Sequence, residues 1–496
     1  KNTFSKEESN PMSKNKQPAP AAPKEPGLLI SLVPIFSVFI LLLLALIKYD
    51  VDIQIPLIIA SVISGLISAL VLKNPWKDIE KGIIDSITNA MQAILIACII
   101  GLIIGSWISG GIVPSIIYYG LKILSPRFFL VTCLIVCSVI SISTGSSWTT
   151  AGTLGVAMVG IGISMGIPAP VTAGCVVSGA YFGDKMSPFS DTTNLAPAVS
   201  GTTIFAHIRH MMYTTGVSYA LACVAFMILN LRYTAGNDNS GTIARVSRDL
   251  ADNFVVSPLL LLPLLILFLM IYFKTPAIPG LIFSVALGIF CAVCVQHHGI
   301  TEIGTALSYG YTSKTGNQVL DDLLTKGGLQ NMMWTVSLIL CSLTFGGIMH
   351  QSGMLHTIGE NILKLAKGNR GLIVATGFTA IVINFICGEQ YLSILLTGKM
   401  YKEEYEKRDL APQNLSRALE DFGTITSPLI PWTTCAVAMS TYLGVPTVQY
   451  LPYAFFNLLN PLVAIAFAVL GITIRKRSEV PPEDIVSAGS DVPDVF

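Results

Sequence analysis

Charge is scarce in this sequence: Asp, Glu, Lys and Arg make up 12% of its 496 residues, about half the roughly 25% of a soluble domain. A membrane protein is therefore expected. There is no Walker A loop, so ATP is not the energy source. No HExxH or other catalytic constellation marks an enzyme, and the GxG patterns between Gly160 and Gly166 have no βαβ setting. The near-balanced charge, +1 overall, gives nucleic acid nothing to bind. The ten cysteines supply no disulfide framework, since all lie in or beside apolar runs, where Cys behaves as a small hydrophobe. Cys291-Ala-Val-Cys294 before His297 and His298 has the letters of a zinc site, yet it lies in an apolar helix without a second pair. No resident cofactor is expected.

Long apolar runs are what the sequence has instead. Leu28 to Ile47, Pro56 to Leu72, Ala90 to Ser109, Phe128 to Ser143, Met212 to Leu231, Val256 to Phe273 and Tyr450 to Ile474 each approach the ~20 residues that cross a bilayer. Ile278 to Val295, Met332 to Met349 and Leu372 to Cys387 are further candidates, which gives about ten to thirteen transmembrane or re-entrant helices. The first run is too long for a signal peptide core and has no cleavage site after it, so it reads as a true span. Five lysines precede it, Lys73, Lys77 and Lys81 follow the second run, and Arg475-Lys476-Arg477 follow the last. The positive-inside bias puts all three regions, and hence both termini, in the cytoplasm. The lipid bilayer is the expected partner, and a homodimer is compatible with such a chain.

The sequence also repeats itself. Phe182 to Ser200 reads FGDKMSPFSDTTNLAPAVS and Phe422 to Ser440 reads FGTITSPLIPWTTCAVAMS, with 8 of 19 positions identical. Upstream, Asn89, Gly105 and Gly111 pair with Asn331, Gly347 and Gly353, and Gly145 pairs with Gly388. The expected organisation is a polar tail (1–27), two leading helices (28–88), a first repeat (89–232), connecting helices and loops (233–330), a second repeat (331–474) and a C-terminal tail (475–496). An odd number of spans between the copies makes them inverted repeats, whose substrate site lies near the midplane at broken helices.

The polar breaks carry the chemistry. A cation entering the membrane must exchange its water for oxygen ligands, and hydroxyls, carboxylates and unwound carbonyls supply them. An ionised side chain at mid-bilayer costs about 2.5–3.5 kcal/mol on insertion scales and is usually functional, which singles out Asp184 and Asp191 as Na+ ligands. The plainer role for Asp184 is at a helix end, paired with Lys185 and satisfying backbone N–H groups. Glu389, beside Gln390, is the matching acid of the second half, with capping of the helix that ends at Cys387, or a place at a wet surface, as its plainer role. Ser146, Ser147, Thr150, Ser187, Thr192, Thr193, Asn194, Ser427, Thr433 and Thr434 are candidate neutral ligands, and only their clustering carries weight. Glu420 and Asp421, which follow Arg417, read as a solvated helix face. His207, Arg209 and His210 read as a basic loop at the membrane surface.

The motif GDKMSPFSDTTNLAP, with GEQY and SPLIPWTT in the second half, closely resembles the NhaC family of bacterial sodium/proton antiporters. The resemblance runs from the first span to Arg477. It implies inverted repeats with re-entrant hairpins, residence in the bacterial cytoplasmic membrane, and exchange of internal Na+ for external H+ by alternating access. It also sets Asp184, Ser187, Asp191, Thr192, Thr193 and Asn194 on the family's first signature, and Glu389, Ser427, Pro428, Thr433 and Thr434 on its second. Close relatives exchange malate and protons for lactate and sodium. That cargo calls for a buried Arg clamp, and the basic residues near the motifs are only Lys185, Arg209 and Lys399. Sodium/proton exchange is the expectation, a dicarboxylate/lactate exchanger the alternative, and an uncoupled cation channel a more remote one.

Overall fold

The computed structural model describes residues 26–49, 51–234, 240–273 and 275–486; the tail up to residue 25 and the last ten residues lie outside them. Among the described residues the regular structure is helical, apart from three isolated bridges.

The leading helices α1 (Leu28–Leu44) and α2 (Gln54–Leu66) pack together. Next come α3 (Trp76–Asn89) and α4 (Met91–Ser109), which meet at Ala90. The expected start of the first repeat falls at that joint. Charge on α3 (Lys77, Asp78, Glu80, Lys81) keeps it amphipathic, whereas α4 is apolar throughout. After α5 (Ile112–Ile123), α6 (Phe129–Thr144) climbs to Gly145. The chain there turns back through α7 (Ser147–Thr150) and α8 (Val156–Ser164). Then follow α9 (Ala169–Met186), α10 (Asp191–Ser200) and the long α11 (Ile204–Thr234). The connection holds α12 (Ser240–Asn253), α13 (Leu262–Tyr272), α14 (Ala277–Cys294), α15 (Ile300–Tyr309) and α16 (Gln318–Leu324).

The second series has the same order: α17 (Leu329–Gln351), α18 (Met354–Lys364), α19 (Gly368–Cys387), α20 (Gln390–Lys407), α21 (Pro412–Ala418) continued as a π-helical segment Leu419–Thr424, and α22 (Thr434–Leu443). The short α23 (Thr447–Tyr450) and the apolar α24 (Phe455–Leu470) close it. Among the described residues seven helices are long and apolar enough to cross a membrane, or nine if two bent pairs each count as one. The remaining expected span, Leu28 to Ile47, falls on α1, an apolar helix of 17 residues.

Both hairpins turn on a glycine in the left-handed region, Gly145 at φ 65° and Gly388 at φ 64°. Only Gly adopts this backbone without strain. In each hairpin the following residue caps the return helix: the Ser146 hydroxyl accepts the Thr149 N–H, and the Glu389 carboxylate accepts the Leu392 N–H. Each hairpin is followed by a broken helix, restarted at Ser190 and at Thr433 by hydroxyls that accept the Thr193 and Ala436 N–H groups.

The hairpins enter from opposite ends of the bundle. The foot of α6 meets the far end of α11, where Asn230 accepts the Leu130 N–H and donates to the Pro126 carbonyl. The near end of α11 meets the C-terminal segment, because Thr202 donates to the Asp484 carbonyl. That segment also lines the foot of α20, where Arg477 pairs with Glu406 and the Ala411 N–H donates to the Arg475 carbonyl. Bulky apolar side chains such as Phe36, Phe39, Phe283 and Phe290 face outward, as they would against lipid tails.

Candidate functional site

In the first half, the tip of the α6–α7 hairpin meets the break between α9 and α10. The Asp184 carboxylate, on the last turn of α9 and 5% exposed, accepts the Ser147 hydroxyl at 2.6 Å and the Ser147 N–H at 3.3 Å. Thr150 donates to the Ser146 carbonyl at 3.0 Å, which keeps the tip closed. The break itself is stapled by its own side chains. Ser187 donates to the Ile142 carbonyl, and Thr193 donates to the Asp184 and Lys185 carbonyls at the end of α9. Thr192 pairs with Ser190, and the Asn194 amide donates to the Pro188 and Ser190 carbonyls. Of the oxygens grouped by sequence, several are thus committed to holding the non-helical backbone.

The two aspartates differ in setting. Asp184 is buried, whereas Asp191 is exposed and accepts the Tyr391 hydroxyl at 3.3 Å from the second half. The two carboxylates that the sequence groups in one motif thus have different surroundings. Asp191 opens α10 and lies one helix-break away from the last turn of α9.

In the second half, the hairpin tip and the break between α21 and α22 are joined by backbone: the Thr434 N–H donates to the Gly388 carbonyl at 2.8 Å. Glu389 is buried and caps α20, not the helix ending at Cys387. Thr433 donates to the Ser427 carbonyl and to the Ile430 carbonyl. The buried Ser427 hydroxyl and Gln390 carbonyl oxygen have no hydrogen-bond partner. The Thr434 hydroxyl reaches only the Cys435 sulfur, at 4.0 Å.

Four readings of the sequence are overturned between these two regions. Glu420 and Asp421 are not a solvated face: they are 0% and 1% exposed. The Lys185 ammonium, fully buried, pairs with Asp421 and not with Asp184, and reaches the Asn460 amide oxygen at 3.3 Å. Thr214 and Asn460 also donate to the same Asp421 oxygen, at 3.1 and 2.9 Å. A buried arginine exists after all. Arg417, 2% exposed, stands 4.0 Å from Asp421 and donates to Thr473. His207 and His210 lie within α11 and are buried, with His207 Nδ1 2.8 Å from the Ser416 hydroxyl, while Arg209 is exposed.

The missed cluster had a signal. Glu420 and Asp421 stand two residues ahead of the repeated Phe-Gly, level with Ala180 and Tyr181, which the first copy buries completely. Repeat symmetry therefore places them inside. Asn457 and Asn460, three apart on apolar α24, are a second sign.

The letters of a nucleophile elbow occur once, at Gly162, Ser164 and Gly166, but Ser164 ends α8 and donates to the Gly160 carbonyl. Among the described residues no three His, Cys, Asp or Glu side chains group to hold a metal.

The chain matches the Na+/H+ antiporter family over residues 24–193 and 179–472. It is 40% identical over 375 residues to the Na+/H+ antiporter NhaC of Alkalihalophilus pseudofirmus, an alignment covering 75% of this chain and 81% of that one. It is 36% identical to the arginine/ornithine antiporter ArcD of Halobacterium salinarum, covering 78% and 79% of the two chains. With the malate-2H+/Na+-lactate antiporter of Bacillus subtilis the identity is 34%, covering 77% and 82%.

Proposed function

The chain belongs to the Na+/H+ antiporter family, and from that premise we propose that it is a secondary antiporter exchanging cytoplasmic Na+ for external H+. Relatives at 40% and 38% identity carry the name Na+/H+ antiporter NhaC, which supports the assignment. The observation that carries it here is the Asp184 carboxylate, buried at a helix break and held by the tip of a re-entrant hairpin. A carboxylate in that position binds Na+ or a proton but not both, so each displaces the other.

In this reading Asp184, with Ser147, forms the first cation position, and Asp191 stands beside the break as the acid a hydrated cation meets first. Ser427 and Gln390, with their unsatisfied buried oxygens, supply neutral ligands in the second half near Glu389. The two units, roughly 89–232 and 331–474, are inverted copies. Hairpins entering from opposite ends support that reading, because alternating access then amounts to rocking one copy against the other. The family's setting and the positive-inside bias place the chain in the bacterial cytoplasmic membrane with both termini in the cytoplasm. Driven by the proton gradient, it uses neither ATP nor a resident cofactor.

Organic cargo is the weaker reading. A carboxylate substrate needs a free buried cation, and both candidates, Lys185 and Arg417, are shared with Asp421. In everted vesicles Na+ should dissipate a preformed ΔpH, and Asp184→Asn should abolish this with the protein still in the membrane. Wild-type exchange in that variant would remove Asp184 from the site. Dependence of the wild-type signal on added malate, lactate, arginine or ornithine would replace the Na+/H+ reading itself.

A further inference from the structure

Glu420 is the most anomalous side chain in the bundle. It is fully buried on the π-helical segment Leu419–Thr424, and neither of its carboxylate oxygens has a hydrogen-bond partner. One turn further on, the buried Thr424 hydroxyl has none either. Burying an ionised carboxylate without partners costs many times what a satisfied one costs. Native structures leave such groups open only where something else fills the gap.

The surroundings specify what that is. The Thr424 hydroxyl of the same segment and the Thr192 hydroxyl of α10 act on the Glu420 carboxylate from just outside hydrogen-bond distance, so the first and second halves both contribute oxygens. The charged side chains around it are Lys185 and Asp184 of α9, with Asp421 next to it on the segment and Arg417 on α21. Lys185 already points its ammonium at Asp421 and Asn460, and Arg417 is directed to Asp421 and Thr473. Neither base donates to Glu420. With Glu420 itself these are three acids against two bases, a deficit of positive charge that a monovalent cation makes good.

We propose that Glu420, Thr424 and Thr192 form a second Na+ position, built jointly by the two halves and separate from the Asp184–Ser147 pair. The π-helical turn is what aims both residues inward: widening the helix turns Glu420 and Thr424 towards α10, and such bulges recur at functional sites. A cation there ties the second broken helix to the first across the interface along which the halves must move. The inference rests on the Na+/H+ reading and deepens it.

The test counts bound sodium. Purified wild-type protein in nanodiscs is titrated with 22Na+ and compared with Glu420→Gln, an isostere, and Thr424→Val. Glu420→Gln is expected to bind one Na+ fewer per chain, and Thr424→Val to bind the same Na+ about tenfold more weakly, the size of one lost charge-assisted contact. Unchanged stoichiometry and affinity in both variants overturns the proposal, since the gap then holds only water. It is equally overturned if Glu420→Gln keeps its full sodium count but releases fewer protons on Na+ addition, because Glu420 then carries a proton instead. If the wild-type chain itself binds no Na+, the Na+/H+ reading fails as a whole.

Discussion

Lys185 on α9 and Asp421 on the second broken helix form an ion pair in the dry interior, 0% and 1% exposed. The pair joins the last turn before one break to the last turn before the other. Two buried charges gain little net stability from each other, but removing one strands its partner at a cost of about 3–5 kcal/mol. Asp421→Asn should therefore lower the detergent melting temperature sharply, while the double variant Lys185→Met/Asp421→Leu should recover most of it. A double variant no more stable than the single would show that Arg417, Thr214 and Asn460, which also face Asp421, hold more of its stabilisation than Lys185 does.

The hairpin tips offer a contrast. A methyl group on Gly388 would strike the Ser342 hydroxyl, whereas one on Gly145 would strike the Phe189–Ser190 backbone. Both substitutions also force a left-handed backbone on alanine, costing about 1 kcal/mol or more. Gly388→Ala should lose transport and regain part of it with Ser342→Gly. No side-chain trimming should rescue Gly145→Ala. Vesicle transport normalised to membrane content distinguishes the two.

Ser147→Ala removes a 2.6 Å bond to Asp184. Hydrogen bonds to charged groups are worth about 1.5–3 kcal/mol, so half-saturation by Na+ should shift by roughly tenfold or more. Ser143→Ala is the control, since that exposed hydroxyl only donates back to Val139. Equal Na+ dependence in the two variants would remove the hairpin tip from the binding site.

Outside the spans, Asp321 organises the 313–316 loop. It accepts the Thr315 and Gly316 N–H groups and the Ser313 and Thr315 hydroxyls. These bonds, the Thr315 N–H foremost, hold its carboxyl below the ordinary carboxylate range. A depressed carboxyl stabilises the fold above its unfolded pKa and loses that contribution only as pH falls through the folded one. Between pH 6 and 9 the loop should therefore be indifferent to pH. Asp321→Asn should open it, raising trypsin cleavage after the exposed Lys314; cleavage as slow as in the wild type would show that the backbone holds the loop unaided.

How much of the site was legible is clearest in the motif GDKMSPFSDTTNLAP. Its prolines, glycine and hydroxyls announced a broken helix, and Ser187, Thr193 and Asn194 do bond the unwound backbone. The lysine was misread. Adjacent residues of a helix point about 100° apart, so Lys185 looks away from Asp184, towards a residue 236 positions later in the chain.

By itself the sequence determined that the chain is a helical membrane protein, that its motif occurs twice, and where each copy interrupts its helices. Those features follow from local rules: apolar length, helix-breaking residues, and the need to satisfy every backbone group in lipid. Tertiary structure decided which charges are buried and with whom. Glu420 and Asp421 read as a solvated face because Arg417 precedes them within one helical turn. Only the packing of α10, α11, α19, α20 and α24 around that segment, with Lys185 reaching in from α9, removes the water and turns a surface-like string into the charged centre of the bundle.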